Sequence, residues 1–429
     1  MKETVAIQTK DDFLSHFKNL DFSFDVEFSR KKRDEVKEKI KALAFPTSKT
    51  EYWKYTRVNK IIKGNYQTDF PEGELDLELS VPAKNCIVLV NGYFHKALSW
   101  SEEQKGVHFS SLSVAKENSA IMPQKFATLS KDDSEIFAAI NTAYHQDGAF
   151  LHVEKGVQTE EPFYVINILD SEGAVANPRN LFIMEEGSSA KVVLKTISTE
   201  KGSSFTNMLT EAFVDRRANL SIDKIQEEGK EDFQIACEQV EQKADSVFKI
   251  NTFTLGGSLV RNNLNIDLLG QHTETWLNGL YLLQDKQHVD NHTYVFHRDP
   301  NCESHELYKG IMDDKSTGVF NGKVYVHREA QKTNAYQSNA NMVLTDDASI
   351  NSKPELEIYA DDVKCSHGST TGQLDEEALF YLRSRGLSEK SARAVLLNAY
   401  ASDVLEHITV DSVKEEVEAF INKHYQGIK

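Results

Sequence analysis

The stretch Leu264-Asn265-Ile266-Asp267-Leu268-Leu269-Gly270 carries the deciding pattern. Apolar and polar residues alternate, and a small residue follows. A period of two is that of a strand with one face turned inward. Val324-Tyr325-Val326 repeats it. Between Asp147-Gly148 and about residue 365, short stretches of this kind recur, separated by turns rich in Gly, Asn and Asp. Helical patterns are nearly absent there.

A small residue after a polar turn opens such stretches at Ala190, Ala218, Ala244, Gly270, Gly322 and Ala348, in steps of 28, 26, 26, 52 and 26 residues. A period near 26 in an all-strand region suggests a solenoid of β-coils, each of which buries its apolar face only against its neighbours. A β-sandwich also spaces its turns regularly. The repeat favours the β-helix and leaves the sandwich open.

Outside this region the pattern is helical. Thr9 is placed to cap a helix bearing Phe13, Leu14, Phe17 and Leu20. A second helix runs from Arg30 to Ala44, with Val36, Ile40 and Leu43 inward and Pro46 as its stop. Phe70 to Pro82 reads as an acidic loop, Cys86 to Val90 with Asn91-Gly92 as a strand and turn, and Asp132 to His145 as a helix. After the strands, Asp375 and Ser388 open helices, Gly386 closes the first, and Asp411 starts a third. A helical hairpin in that place is a cap for the solenoid's open end, a docking module, or both. The expected organisation is therefore a mostly helical segment at 1–145, a β-helix core at 146–370 and a helical segment at 371–429.

Composition narrows the function. The 429 residues carry a formal charge of −17. Such a surface repels phosphate backbones, so no nucleic-acid partner is expected. The basic run Arg30 to Arg33 reads as a solvated helix face. The N-terminus is charged at once and no apolar run is long enough to span a bilayer, so no membrane association and a cytoplasmic location are expected. Cys86, Cys237, Cys302 and Cys365 are scattered, with no C-x-x-C pair. Neither a disulfide framework nor a zinc finger is indicated, and each cysteine starts as a small buried hydrophobe.

Catalytic motifs are missing, and no enzyme is expected. The nearest approach to a phosphate-binding loop, Gly318 through Gly322-Lys323-Val324, is one residue short and lacks Ser or Thr after the lysine. Two polar clusters remain. His288, Asp290, His292, His297, Cys302 and His305 contain natural iron and zinc ligands. Yet His288, Asp290 and His292 alternate along one strand, which suits a polar ladder on the outside of the solenoid better than a ligand set. In Asp361 through Gly368, Cys365 and His367 stand two apart and share one side of a strand. They are either a buried pair or two donors of a site completed from elsewhere.

The second cluster carries a resemblance. Leu356 through Gly368, then Gly372 through Asp375 and Phe380 through Gly386, resemble the C-terminal signature of the SufD family of the SUF iron–sulfur cluster assembly system. Glu51-Tyr52-Trp53-Lys54-Tyr55-Thr56 resembles that family's Glu-Glu-Trp-Arg-Tyr-Thr motif, with Tyr52 and Lys54 as departures. Tyr308 through Ile311 and Val319 through Lys323 resemble its middle region. The paralogous SufB chains tend to read Val-Glu-His-Glu-Ala where this one has Val363-Lys364-Cys365-Ser366-His367-Gly368.

The resemblance implies a right-handed parallel β-helix flanked by N- and C-terminal helical domains. It implies a non-catalytic scaffold that pairs with SufB near Cys365 and docks the ATPase SufC on residues 375–429. It further implies a transient iron–sulfur cluster shared with SufB, held by a SufB cysteine and by His367, and no stably bound cofactor; Cys365 stays open between a further ligand and a buried structural thiol. Two alternatives stay in play: a self-sufficient SufB-like scaffold acting as a homodimer, and a polysaccharide-active β-helix enzyme.

Overall fold

In the computed structural model, which describes residues 2–20, 22, 25–68, 81–199 and 202–426, the alternating stretches form strands of two facing sheets. Successive strands go to opposite sheets. Ser189–Ser198, Asn219–Glu227, Val247–Thr254, Glu274–Leu283, Glu303–Met312, Asn334–Val343 and Lys364–Gly372 lie side by side in the first. Phe205–Val214, Phe233–Gln242, Leu259–Leu268, His288–His297, Thr317–Val326 and Ser349–Ile358 do so in the second. Every pairing among these strands is parallel. The result is a parallel β-solenoid of about 8 turns. Its apolar interior includes Val192, Ile222, Ile250 and Leu277 from the first sheet and Val260, Leu264 and Ile266 from the second. Burying each such side chain contributes about 1.5–3 kcal/mol.

The coil length differs from the expected 26 residues. Register partners are separated by 26 residues (Phe233 beside Leu259) to 32 (Thr317 beside Ser349). The constant feature is a corner in the left-handed backbone region, at Gly187, Arg217, Asp245, His272, Asn301 and Lys332. Several of these residues donate their N–H to the next coil, as Arg217 does to the Ala244 carbonyl at 3.0 Å and Asn301 to that of Gln331 at 2.9 Å. Ala218, Ala244 and Gly270 flank this corner. Gly270 touches the coil before it, and a Cβ there would lie 2.3 Å from the Ala244 nitrogen. Ala190 and Gly322 lie inside strands and Ala348 beside the opposite corner. The even 26-residue spacing therefore mixed the two corners.

Strand Asn85–Val90 extends the first sheet, pairing in parallel with Phe163–Leu169. The helix Lys2–Ser15 contains Thr9, which is therefore not its cap, and the second helix starts at Glu27, not Arg30. That helix packs against Ile136–Tyr144, which lies on the second sheet. Most of the acidic loop expected at Phe70 to Pro82 falls outside the described residues.

The C-terminal helices Glu376–Ser384, Glu389–Leu405 and Asp411–Gln426 start as expected at Asp375 and Ser388, whose side chains accept hydrogen bonds from the first turn. The last two pack along the outer face of the first sheet. Asp223 accepts from the backbone of Thr409 and of Val410, each at 3.0 Å, and Asn251 donates to the His407 carbonyl at 2.9 Å. The helices flank the solenoid and leave its C-terminal end uncovered. There Ser349–Ile358 and Lys364–Gly372 are the last strands of their sheets, and eight of the nine residues of Lys364–Gly372 are exposed.

Candidate functional site

Cys365 and His367 sit on that final strand. Their register partners are Ala335 and Gln337 on the preceding coil, both buried in the interior. In-register neighbours of a parallel sheet face the same way, so both residues turn toward the mouth of the solenoid. Cys365 is half-buried and packs with Val324, Val326, Ala335 and Ala360. This burial pushes its thiol above the ordinary range and favours the protonated, inert form. His367 is exposed.

The column beneath His367 changes character along the axis. Register carries it through Val192, Ile222, Ile250 and Leu277, all apolar, then to Glu306, Gln337 and His367. Burial pushes the Glu306 carboxyl up to about 7. It accepts from the Thr293 hydroxyl across the interior and from Gln337 Nε2 at 2.7 Å.

The larger cluster does not come together. His288, Asp290 and His292 form the expected ladder on the outer face of the second sheet, but that face is covered. Thr56 bonds both His288, at 2.9 Å, and Asp290. Arg261 pairs with Asp290 and lies 3.8 Å over the Trp53 ring, while Tyr52 meets His292 edge-on. His297 is inside, bonded to Ser304 at 2.9 Å and pushed down to about 3 by burial. Cys302 is buried against the Gly270 carbonyl. His305 stacks on Trp276 at 4.2 Å on the outer face of the first sheet. Among the described residues no three His, Cys, Asp or Glu side chains are placed to hold a metal ion. Cys86 and Cys237 are buried and their thiols are pushed up to about 12.

Cys365 and His367 thus offer at most two donors, one soft and one borderline, at an open edge. That set suits iron bound jointly with another chain. The Glu306–Gln337 pair went unnoticed in the sequence. The alternation of Glu306-Leu307-Tyr308 hints at an inward carboxylate, but only coil register shows what lies above it.

The fold and its open edge define a class: a β-solenoid with helical flanks that exposes two sheet edges and a thiol–imidazole pair at one end. Known proteins of this kind match along most of the chain. The SUF system FeS cluster assembly, SufBD core domain matches residues 167–400, and the SufBD protein N-terminal region matches residues 10–165. The chain belongs to the SufBD family of the SUF iron–sulfur cluster assembly system. It is 29% identical over 390 residues to the iron–sulfur cluster assembly protein SufD of Escherichia coli, covering 89% of this chain and 90% of that one. It is 28% identical over 400 residues to an iron–sulfur cluster assembly SufBD family protein of Synechocystis, covering 89% and 88%. Among the described residues no helix is long and apolar enough to cross a membrane.

Proposed function

We propose that this chain is a non-catalytic, cytoplasmic scaffold subunit of SufD type. It pairs through the open end of its solenoid with the paralogous SufB, docks the ATPase SufC on its C-terminal helices, and supplies His367 to a nascent cluster shared between the two solenoids. The carrying observation is the pair of unpaired edges, Ser349–Ile358 and Lys364–Gly372, with His367 exposed on the second. An unpaired edge is a template for strand addition from another chain. Phe380, Tyr381 and Val395 are exposed on the C-terminal helices at 74%, 56% and 43%, which supports a docking role for that segment.

Cluster iron is held by thiolates, with imidazole as an accepted substitute. A site divided between chains opens when the chains move apart, which withdraws one chain's donors from the cargo and so favours its release. His367 fits this role by its exposure. Cys365 fits the role of a packed thiol, and its elevated pKa opposes metal binding.

Co-expression of the tagged chain with candidate SufB and SufC partners tests the proposal. A stable complex of all three, whose iron and sulfide content falls in His367→Ala, supports it. A chain that binds neither partner overturns the assembly role. A chain that self-associates through the same edges and holds a cluster alone would replace it with the homodimeric reading.

A further inference from the structure

The interior column ends in a line of polar groups, and one atom in it has no partner. Gln337 is 3% exposed and spends its Nε2 on the Glu306 carboxylate, at 2.7 Å. Its Oε1 is buried and accepts no hydrogen bond among the described residues. Leaving a buried carbonyl unpaired is destabilising, so the site favours a donor for it. The surroundings hold the amide in this orientation. Thr293 donates to one Glu306 oxygen and Gln337 Nε2 to the other, so Glu306 is the acceptor on both sides and takes the amide N–H. Gly322 on the facing sheet leaves the space the amide fills, since a Cβ there would lie 2.3 Å from Gln337 Nε2.

The next residue in the column is His367, the register partner of Gln337. An imidazole carries two ring nitrogens. When one binds a metal, the other is an N–H donor, and an acceptor for it fixes both tautomer and ring orientation. An unpaired, rigidly held carbonyl one coil below is such an acceptor.

We propose that Gln337, braced by Glu306 and Thr293, is the positioning residue for His367. It accepts the inward ring N–H and so directs the other ring nitrogen out of the solenoid mouth, toward iron shared with the partner chain. The inference rests on the reading of His367 as a cluster ligand.

The test uses the three-component complex, reconstituted with iron and sulfide, carrying wild-type chain, His367→Ala, Gln337→Leu or Gln337→Glu. Two quantities are read: the lifetime of the cluster, and the histidine nitrogen coupling of the reduced cluster by pulsed paramagnetic resonance on 15N-histidine-labelled chain. Gln337→Leu removes the acceptor. It is expected to shorten the cluster lifetime about 10–100-fold and to alter the nitrogen coupling. Gln337→Glu restores both, because one of its oxygens accepts the same N–H while a proton shared with the Glu306 carboxyl takes the place of the amide N–H. A purely structural role gives the opposite order, since Gln337→Glu sets a second carboxyl against Glu306 while leucine is tolerated. If Gln337→Leu fails to assemble, Gln337→Glu decides: wild-type behaviour supports the inference and a defect overturns it. Wild-type lifetime and coupling in Gln337→Leu, with loss in His367→Ala, overturn the role of Gln337 and leave the ligand intact. An unimpaired His367→Ala overturns the ligand reading, and the inference with it.

Discussion

The Thr56 hydroxyl donates to the Asp290 carboxylate, joining residues 234 positions apart in the chain. It ties the Glu51–Thr56 motif to the outer face of the second sheet. Asp290 also pairs with Arg261, whose guanidinium lies over Trp53 of the same motif. A buried charge is tolerated only when paired and hydrogen-bonded. The ladder of His288, Asp290 and His292 is thus a clasp between the N-terminal segment and the solenoid, which accounts for its polarity without a metal.

Replacing Asp290 should release that clasp. Both Asp290 and Arg261 are 1% exposed, so Asp290→Ala leaves an unpaired buried guanidinium. The expected loss is about 3–5 kcal/mol. Thr56→Val removes one hydroxyl and should lower stability by about 1–2 kcal/mol. Urea unfolding of both variants checks the order. Equal losses would mean that Arg261 finds another partner.

What could be read in the sequence followed from local physics. Alternation at Leu264, Ile266 and Leu268 needs only the pleat of a single strand, and so does the shared face of Cys365 and His367. Coil length was not legible, because the left-handed corner falls on Arg217, His272 and Lys332 as readily as on Asp245 and Asn301. Only the last two types signal that conformation. The His288–His305 cluster does not assemble because sequence neighbours at a corner are sent to opposite sheets, and the ladder of His288, Asp290 and His292 is the reading its alternation favours. Gln337 was invisible for the converse reason: its partners Glu306 and His367 are about thirty residues away on either side, and only register joins them.

The corners make a direct stability test. Lys332 is exposed, with a φ of 59°, and its N–H bonds the next coil at the Asp362 carbonyl. A left-handed conformation costs a non-glycine residue about 1–2 kcal/mol, partly offset by glycine's larger loss of freedom on folding. Lys332→Gly should therefore raise stability by up to about 1 kcal/mol. Lys332→Val, branched at Cβ, should lower it by about 1–2 kcal/mol. Denaturant midpoints of the pair should move in opposite directions. A shift in the same direction would exclude strain as the cause.

Acidity supplies a third test. Burial pushes Glu228 up to about 8 from an ordinary 4.5, and neither carboxyl oxygen has a hydrogen-bond partner among the described residues. The folded state therefore holds this proton more tightly than the unfolded chain. Its effect is nil below pH 4.5, and it erodes stability progressively as pH rises toward 8. Glu228→Gln should raise stability at pH 8 by roughly 4 kcal/mol and leave it nearly unchanged at and below pH 4.5. His297, pushed down to about 3 from 6.5, acts with the opposite sense, its contribution being lost as pH falls below 6.5. Comparing the variant with the parent at each pH separates the two. A gain independent of pH would mean that Glu228 is not protonated in the fold.

The attachment of the C-terminal helices turns on Asp223. Its carboxylate accepts from Thr409 N, Thr409 Oγ1 and Val410 N at the turn between the last two helices, and from Asn251 at 2.6 Å on its own sheet. Asp223→Ala removes acceptors from two backbone donors at the start of a helix that carries the buried residues Val413, Val417 and Ile421. Two to three unsatisfied donors at about 1 kcal/mol or more each amount to a local loss of about 2–4 kcal/mol. Because these helices pack on the outer face of the first sheet and contribute no residue to the solenoid's interior, the loss should fall on residues 376–426. Hydrogen exchange should quicken there and stay slow in the strands from Ser189–Ser198 to Thr317–Val326. If those helices dock an ATPase, its affinity should fall in step while pairing through the solenoid edge persists. A uniform rise in exchange would mean that helices and solenoid unfold as one unit, and that the docking surface cannot be loosened without losing the scaffold.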